Sequence, residues 1–394
     1  MRKKESFYTK DVILVMMASF FFMFSTMFIN PLINGYAKEL GASSVFAGII
    51  VGIMSLTAMF LRPIAGNLTD RFSKYILSTI GGVLIFAGVF GYIITPSSEW
   101  LLLFRLINGT GYVLATVCMT TWLALLVTRQ HVGEAMGFYG LMNALAMALA
   151  PAVSIHLYHF IGYRHSIILS AVSALLMIVC VQFVGDHGQP VKTASQKKTP
   201  AAHHLRIIQP NVLPVAILTT LFCMPYFTTQ ADIVSYVEQR HLTVAVGNYF
   251  LIYAVVLLAI RIIFKSAFDT VRFGVWFWIS WISSGIYIYL LAVMHNNLTM
   301  IFAAAFMAAG YGIIYSVLQA TAMLLAPMQE QGLASATFYL GLDIGMTLGP
   351  VFGGIIDTAF PIHDFYLVQL ILLPIMLVIY LIWRRRLNGA IDHH

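Results

Sequence analysis

Three ionisable side chains, Arg105, Asp232 and Asp343, stand inside long apolar runs of the chain. A charge in hydrocarbon is expensive, and where one persists it moves protons or ions, binds a solute or pairs with another charge. Asp343 lies about 20 Å into its segment at 1.5 Å per residue, close to the middle of a bilayer. Desolvation there penalises the charged form, so the group can take up a proton from one side and release it to the other, the minimum equipment of proton antiport. A structural carboxyl bonded to a neighbouring helix is the competing reading. Arg105 and Asp232 sit at similar depth and could pair with each other. An ion pair in low dielectric is costly unless well hydrogen-bonded, which suits a bond broken in each cycle. The alternatives are an Arg105 that snorkels to the surface and an Asp232 at an ordinary helix end.

A second set of charges recurs. Arg62 and Asp70, eight residues apart, are followed 199 residues later by Arg261 and Asp269 at the same spacing. Gly48 and Gly247, and Pro151 and Pro350, keep that offset, while Gly109 and Gly111 are matched to Gly310 and Gly312 at 201. Parallel halves of this kind are the trace of transporters that rock one half against the other. Gly66 permits close helix approach. Asp70 can accept hydrogen bonds from Arg71 or from the N-terminus of a facing helix. These residues, with Arg62, Arg261 and Asp269, form a candidate cytoplasmic gate. The two arginines bind backbone carbonyls or the aspartates there, or snorkel to inner headgroups.

The elements that position these groups must be membrane helices. With 60% hydrophobic and 9% charged residues, the chain cannot hide its apolar surface in a soluble core. Twelve apolar segments are expected near 11–36, 43–66, 74–95, 99–127, 132–160, 163–184, 211–236, 244–266, 271–294, 297–326, 330–358 and 363–386. The sequence thus predicts an all-α membrane protein with two pseudo-symmetric six-helix bundles, 1–184 and 211–394, joined by a polar cytoplasmic linker, 185–210, that carries Lys192, Lys197, Lys198, His203 and His204. Placing both termini in the cytoplasm puts sixteen Lys and Arg inside, against Lys38, Arg164 and Arg240 outside and Arg62, Arg105 and Arg261 within helices. The net charge of +7 reflects that bias and contact with anionic lipid rather than nucleic acid. Met1-Arg2-Lys3-Lys4 precedes a long apolar run with no small-residue cleavage site, so the first helix is expected to be retained.

Candidate walls of a solute cavity are Asn30, Asn34 and Tyr36 in the first span, Asn108, Thr116 and Trp122 in the fourth, Tyr226, Thr229 and Gln230 in the seventh, and Tyr311, Tyr315 and Gln319 in the tenth. Mixed aromatic and neutral polar surfaces suit amphiphilic solutes. Cys118, Cys180 and Cys223 show no CxxC spacing and read as packing residues, as do His156 and His159. No nucleophile elbow, phosphate loop or metal-ligand spacing occurs, so neither an enzyme, a cofactor nor a metal is expected.

Gly66-Asn67-Leu68-Thr69-Asp70-Arg71-Phe72-Ser73-Lys74 resembles the signature loop of the major facilitator superfamily, departing from it at Ser73 and Tyr75. Arg105-Leu106-Ile107-Asn108-Gly109-Thr110-Gly111 resembles the family's second motif, whose arginine is linked to proton coupling. Drug exporters of the family carry Gly-Pro-x-x-Gly-Gly in the fifth span. Here that position reads Ala150-Pro151-Ala152-Val153-Ser154-Ile155, and the eleventh span holds Gly349-Pro350-Val351-Phe352-Gly353-Gly354 instead. The resemblance implies a monomeric transporter of the cell membrane, cycling between inward and outward openings, with spans 1, 4, 7 and 10 around the cavity. Proton-driven efflux of drug-like or amphiphilic metabolites is the expected activity, with Asp343 carrying the proton and Arg105 regulating it. Proton-coupled import of a sugar, amino acid or organic acid, and a lipid flippase or non-transporting receptor, are the alternatives.

Overall fold

The structure, a computed structural model, describes residues 9–190, 206–264 and 267–392. The linker residues Lys192, Lys197, Lys198, His203 and His204, the N-terminal Arg2, Lys3 and Lys4, and Lys265 lie outside the described residues. Within them every regular element is helical. Among the described residues ten helices are long and apolar enough to cross a membrane, and one of them spans 54 residues.

Local sequence decides where each helix begins and breaks. The first span is α1 (Lys10–Ile29), capped by Thr9 Oγ1, followed by α2 (Ile33–Glu39). The break between them falls at Asn30-Pro31-Leu32, where Pro31 has no N–H to continue the ladder. Ser43, Ser73 and Asn296 cap α3 (Ser44–Arg71), α4 (Lys74–Ile94) and α11 (Asn297–Met307) with side-chain oxygens. α5 is Ser98–Leu126. The fifth and sixth spans run together as α6 (Val132–Gln182), turned by the single residue Gly162 at φ 76°, a backbone conformation open to glycine. The second half holds α7 (Leu213–Gln239), α8 (Tyr249–Ile263), α9 (Ala267–Thr270) and α10 (Phe273–Ala292). The tenth span passes from α11 through a π-helical segment, Ala308–Gly312, into α12 (Ile313–Leu325). α13 (Gln331–Ala359), α14 (Phe365–Gln369) and α15 (Leu372–Asp392) complete the chain.

The chain resolves into two compact units. The first comprises Met1–His131, Met142–Gln209 and Ala326–Thr337, and the second comprises Val132–Leu141, Pro210–Leu325 and Phe338–His394. Each unit therefore holds a short segment from the other half of the sequence: the start of α13 lies in the first, and the start of α6 in the second.

Close contacts within the units correct the register of the repeat. A Cβ on Gly111 would meet the Ile85 nitrogen at 2.7 Å, and a Cβ on Gly310 would meet the Ser284 nitrogen at 3.1 Å. Ile85 and Ser284 are 199 apart, so Gly111 and Gly310 are the equivalent pair. The offset of 201 drawn from Gly109 is a coincidence of two glycine-rich stretches.

Candidate functional site

The two repeat aspartates do the same thing, each inside its own unit. Each accepts a backbone N–H at the start of a helix from the other half of the sequence. Asp70, in the last turn of α3, accepts the backbone N–H of Gly332 at 2.6 Å through Oδ1 and that of Leu333 at 3.0 Å through Oδ2. It thereby caps α13 from another helix, placing a carboxylate where the helix dipole favours negative charge. Asp269, in α9, accepts the Glu134 N–H at 2.7 Å and caps α6, whose own N-cap residue, His131, does not cap it with its side chain. Contact this close requires glycine opposite each aspartate. A Cβ on Gly332 would stand 2.6 Å from the Gly66 carbonyl oxygen and 2.8 Å from Asp70 Oδ1, and one on Gly133 would stand 2.7 Å from Asp269 Oδ1. Gly133 and Gly332 are 199 apart. That offset was the available signal for these partners, and the sequence reading did not use it. Arg71 is exposed.

The start of α13 is held by further bonds. Thr121 donates to the Gln331 carbonyl at 3.3 Å, and Arg206 pairs with Glu330 at 2.7 Å. Gln209 donates its backbone N–H to Thr337 at 2.9 Å. Asn67 Nδ2 donates to the Arg206 carbonyl at 2.7 Å, so the end of the linker is laced to both α3 and α13.

Arg62 and Arg261 are scaffold residues. Both are buried, which removes the snorkelling alternative for each. Arg62 donates to the Thr116 hydroxyl and lies over the Tyr112 ring at 5.5 Å. Arg261 donates to the Ser316 hydroxyl and to the Gly312 carbonyl at 2.8 Å, and lies over Phe268 at 4.5 Å. Thr116 and Ser316 are 200 apart, one more than the repeat, and the π segment lies just before Ser316. A π turn accommodates one extra residue. It brings Ser316 to Arg261 where strict repetition would bring Tyr315.

The unrepeated charges occupy different surroundings. Asp343 is 5% exposed on α13. Gly341 and Gly345 flank it, pressed against Ala216 and Cys223 of α7, and Thr220 donates to the Gly341 carbonyl at 2.8 Å. Asp232 is half-buried on α7, against Gly353 and close to Asp357. Arg105 is 2% exposed, so it does not snorkel; its Nη2 donates to Asn30 Oδ1 at 2.8 Å.

The expected cavity residues divide. Tyr36 is fully buried, donating to the Tyr92 carbonyl at 2.8 Å and accepting from Arg164 at 3.3 Å, so it joins helices rather than facing a solute. Asn108 is likewise buried, donating to the Ile85 carbonyl at 3.4 Å. Asn30, Asn34 and Gln230 are exposed. Tyr226 and Tyr311 stack on each other at 4.1 Å, Tyr315 lies 6.0 Å from Tyr311, and Gln319 donates to the Tyr339 hydroxyl at 3.0 Å. The second unit thus contains a tyrosine cluster joining the seventh and tenth spans.

A sequence model of the Major Facilitator Superfamily matches residues 15–278 and 271–391. An uncharacterized MFS-type transporter of Methanocaldococcus jannaschii is 20% identical over 363 residues, 91% of this chain and 94% of its own. The multi-drug resistance efflux pump PmrA of Streptococcus pneumoniae is 22% identical over 203 residues, 50% of each chain. Apart from the archaeal protein, the chain spans about a third to a half of the length of the curated relatives it matches. Among solved structures, the human organic anion transporter MFSD10 superposes with a TM-score of 0.75 at 12% identity, over 94% of this chain and 98% of that one. A likeness at that identity establishes the fold.

Proposed function

The chain belongs to the Major Facilitator Superfamily, whose members are transporters rather than enzymes, and from that premise we propose that it exports small amphiphilic organic solutes in exchange for protons. The observation that carries this reading is the buried carboxyl of Asp343. Its counterpart in the repeat, 199 residues earlier, is Ala144, so the fold does not need a carboxyl there. An acid buried in a membrane span, on a helix tightly packed through flanking glycines, is a functional candidate by default. Tyr315, half-buried at the edge of the tyrosine cluster, offers an aromatic surface for an amphiphile. Similarity to a bacterial efflux pump favours the outward direction.

In this reading the two aspartate caps are latches at the cytoplasmic face, where the distribution of Lys and Arg places them. They hold the starts of α6 and α13 in one state and release them in the other, and the solute and the proton use the two states alternately.

Proteoliposomes with an entrapped pH dye test the proposal. A panel of aromatic acids, bases and neutral compounds is added under an imposed pH gradient, and both proton and solute movement are followed, with preloaded vesicles reporting direction. The native protein is expected to couple the two fluxes for some members of the panel. Asp343→Asn is expected to lose gradient-driven movement by at least tenfold. Undiminished driven transport in the variant removes Asp343 as the carrier.

A further inference from the structure

Arg105 is a cation buried within a membrane span that the repeat does not explain. The position 199 residues later is Ala304, whereas Arg62 and Arg261 are duplicated. Its bonding is also incomplete. Nη2 reaches Asn30, but Nε and Nη1 are buried without an acceptor. Tyr92 stands beside the guanidinium as its other polar neighbour, close enough for its hydroxyl to interact with it. One turn along α5, the Oδ1 of Asn108 is buried and unpaired as well. Among the described contacts of Arg105 there is no carboxylate.

A guanidinium held away from water by neutral groups alone is under-compensated, because charge-assisted bonds are about twice as strong as neutral ones and a buried cation without a counter-charge is strongly disfavoured. Its amide acceptor is replaceable. Asn30 is the exposed residue at the end of α1, beside the Pro31 break, and Asn34 is exposed one turn further on. An amide oxygen at that place fills the position of an incoming oxyanion and can turn aside for it.

We propose that Arg105, with Asn30 and Tyr92, forms a binding site in the first unit for the acid group of an amphiphilic organic anion, which makes the transported solute a carboxylate or sulfonate with an apolar body. The anion displaces Asn30 from Nη2, and the Tyr92 hydroxyl donates a second bond to it. This rests on the transport proposal and names the charge class of its solute. It concerns binding without a gradient, so it can fail while proton coupling through Asp343 stands, and the reverse.

The test uses the purified full-length protein in nanodiscs at pH 7.5 and follows its apparent unfolding temperature. The probes are 2-naphthoate, 2-naphthalenesulfonate, 2-naphthol, 2-naphthylmethylammonium and sodium chloride. A ligand that prefers the folded state raises that temperature saturably. One or both naphthyl anions are expected to do so, while the neutral and cationic analogues and chloride do not. Arg105→Gln is expected to weaken the apparent affinity at least tenfold, and Tyr92→Phe severalfold. Asn30→Asp supplies a tethered carboxylate at an exposed position that tolerates it. That variant is expected to be stabilised without ligand and to bind the anions at least tenfold more weakly, and it decides the matter if Arg105→Gln does not fold. The proposal is overturned if neither anion stabilises the native protein, if chloride or naphthol does so equally, or if Asn30→Asp leaves the anion response unchanged.

Discussion

Asp70 and Asp269 each satisfy backbone N–H groups at the start of a helix from the other half of the sequence, and α6 has no side-chain cap from its own N-cap residue. The pair gives a symmetric prediction. Replacing a capping carboxylate by its amide keeps the shape and one acceptor but removes the charge, at a cost of about 1 kcal/mol, or about fivefold in a local opening equilibrium. Asp70→Asn is expected to speed amide exchange at Gly332 and Leu333 severalfold, and Asp269→Asn to do the same at Glu134, each leaving the other site unchanged. Unaltered exchange at both sites would show that the caps do not control these helix starts. Asp70 was legible as a gate residue because of the motif around it. Its partners were not, since two backbone N–H groups carry no side-chain signature; only the matched glycines, Gly133 and Gly332, mark where a carboxylate comes within bonding distance of a backbone. Tyr36 and Asn108 misled for a related reason. A polar residue in an apolar helix reads as cavity-facing until its partner, here the carbonyl of Tyr92 or Ile85, is known.

Among the elements, the tenth span departs most from its counterpart. α5 is a continuous α-helix, whereas the equivalent stretch contains the π segment Ala308–Gly312. Arg261 bridges the end of this segment, through the Gly312 carbonyl, to Ser316. Arg62 bonds instead to a threonine whose hydroxyl also has the Tyr112 carbonyl, at 2.9 Å, as an acceptor. Arg261→Leu is therefore expected to be the more damaging change. Leaving a buried carbonyl and a hydroxyl without this partner costs about 1–3 kcal/mol, seen as a shorter half-life at a fixed elevated temperature. Arg62→Leu is expected to cost less. Equal half-lives for the two variants would mean that the arginine does not support the π turn. Helix periodicity gave the length of this span but not its bulge, because a π turn is settled by long-range partners such as Arg261. The break at Asn30-Pro31-Leu32 and the turn at Gly162 were open to reading from proline and glycine chemistry alone.

At the scale of the molecule, the repeat separates two kinds of charge. Arg62, Arg261, Asp70 and Asp269 keep the offset of 199 and are engaged in scaffold or cap bonds in both copies. Arg105, Asp232 and Asp343 correspond to Ala304, Ile33 and Ala144, so a common scaffold does not require them. Duplication produces two copies of whatever holds the fold, and chemistry specific to one solute and one proton has no need of two. The family fold was legible because hydropathy and the repeat survive divergence. The exchange of the starts of α6 and α13 between units was not, because it depends on tertiary contacts that no window of sequence contains. The central claim is that Asp343 couples proton movement to transport without building the solute site. The direct measurement places native and Asp343→Asn proteins in matched vesicles and compares exchange of a solute, labelled on one side and unlabelled on the other at equal pH, with accumulation under a pH gradient. Near-native exchange with accumulation reduced at least tenfold is the predicted result for the variant. Accumulation at the native rate, or exchange lost as completely as accumulation, would contradict the account.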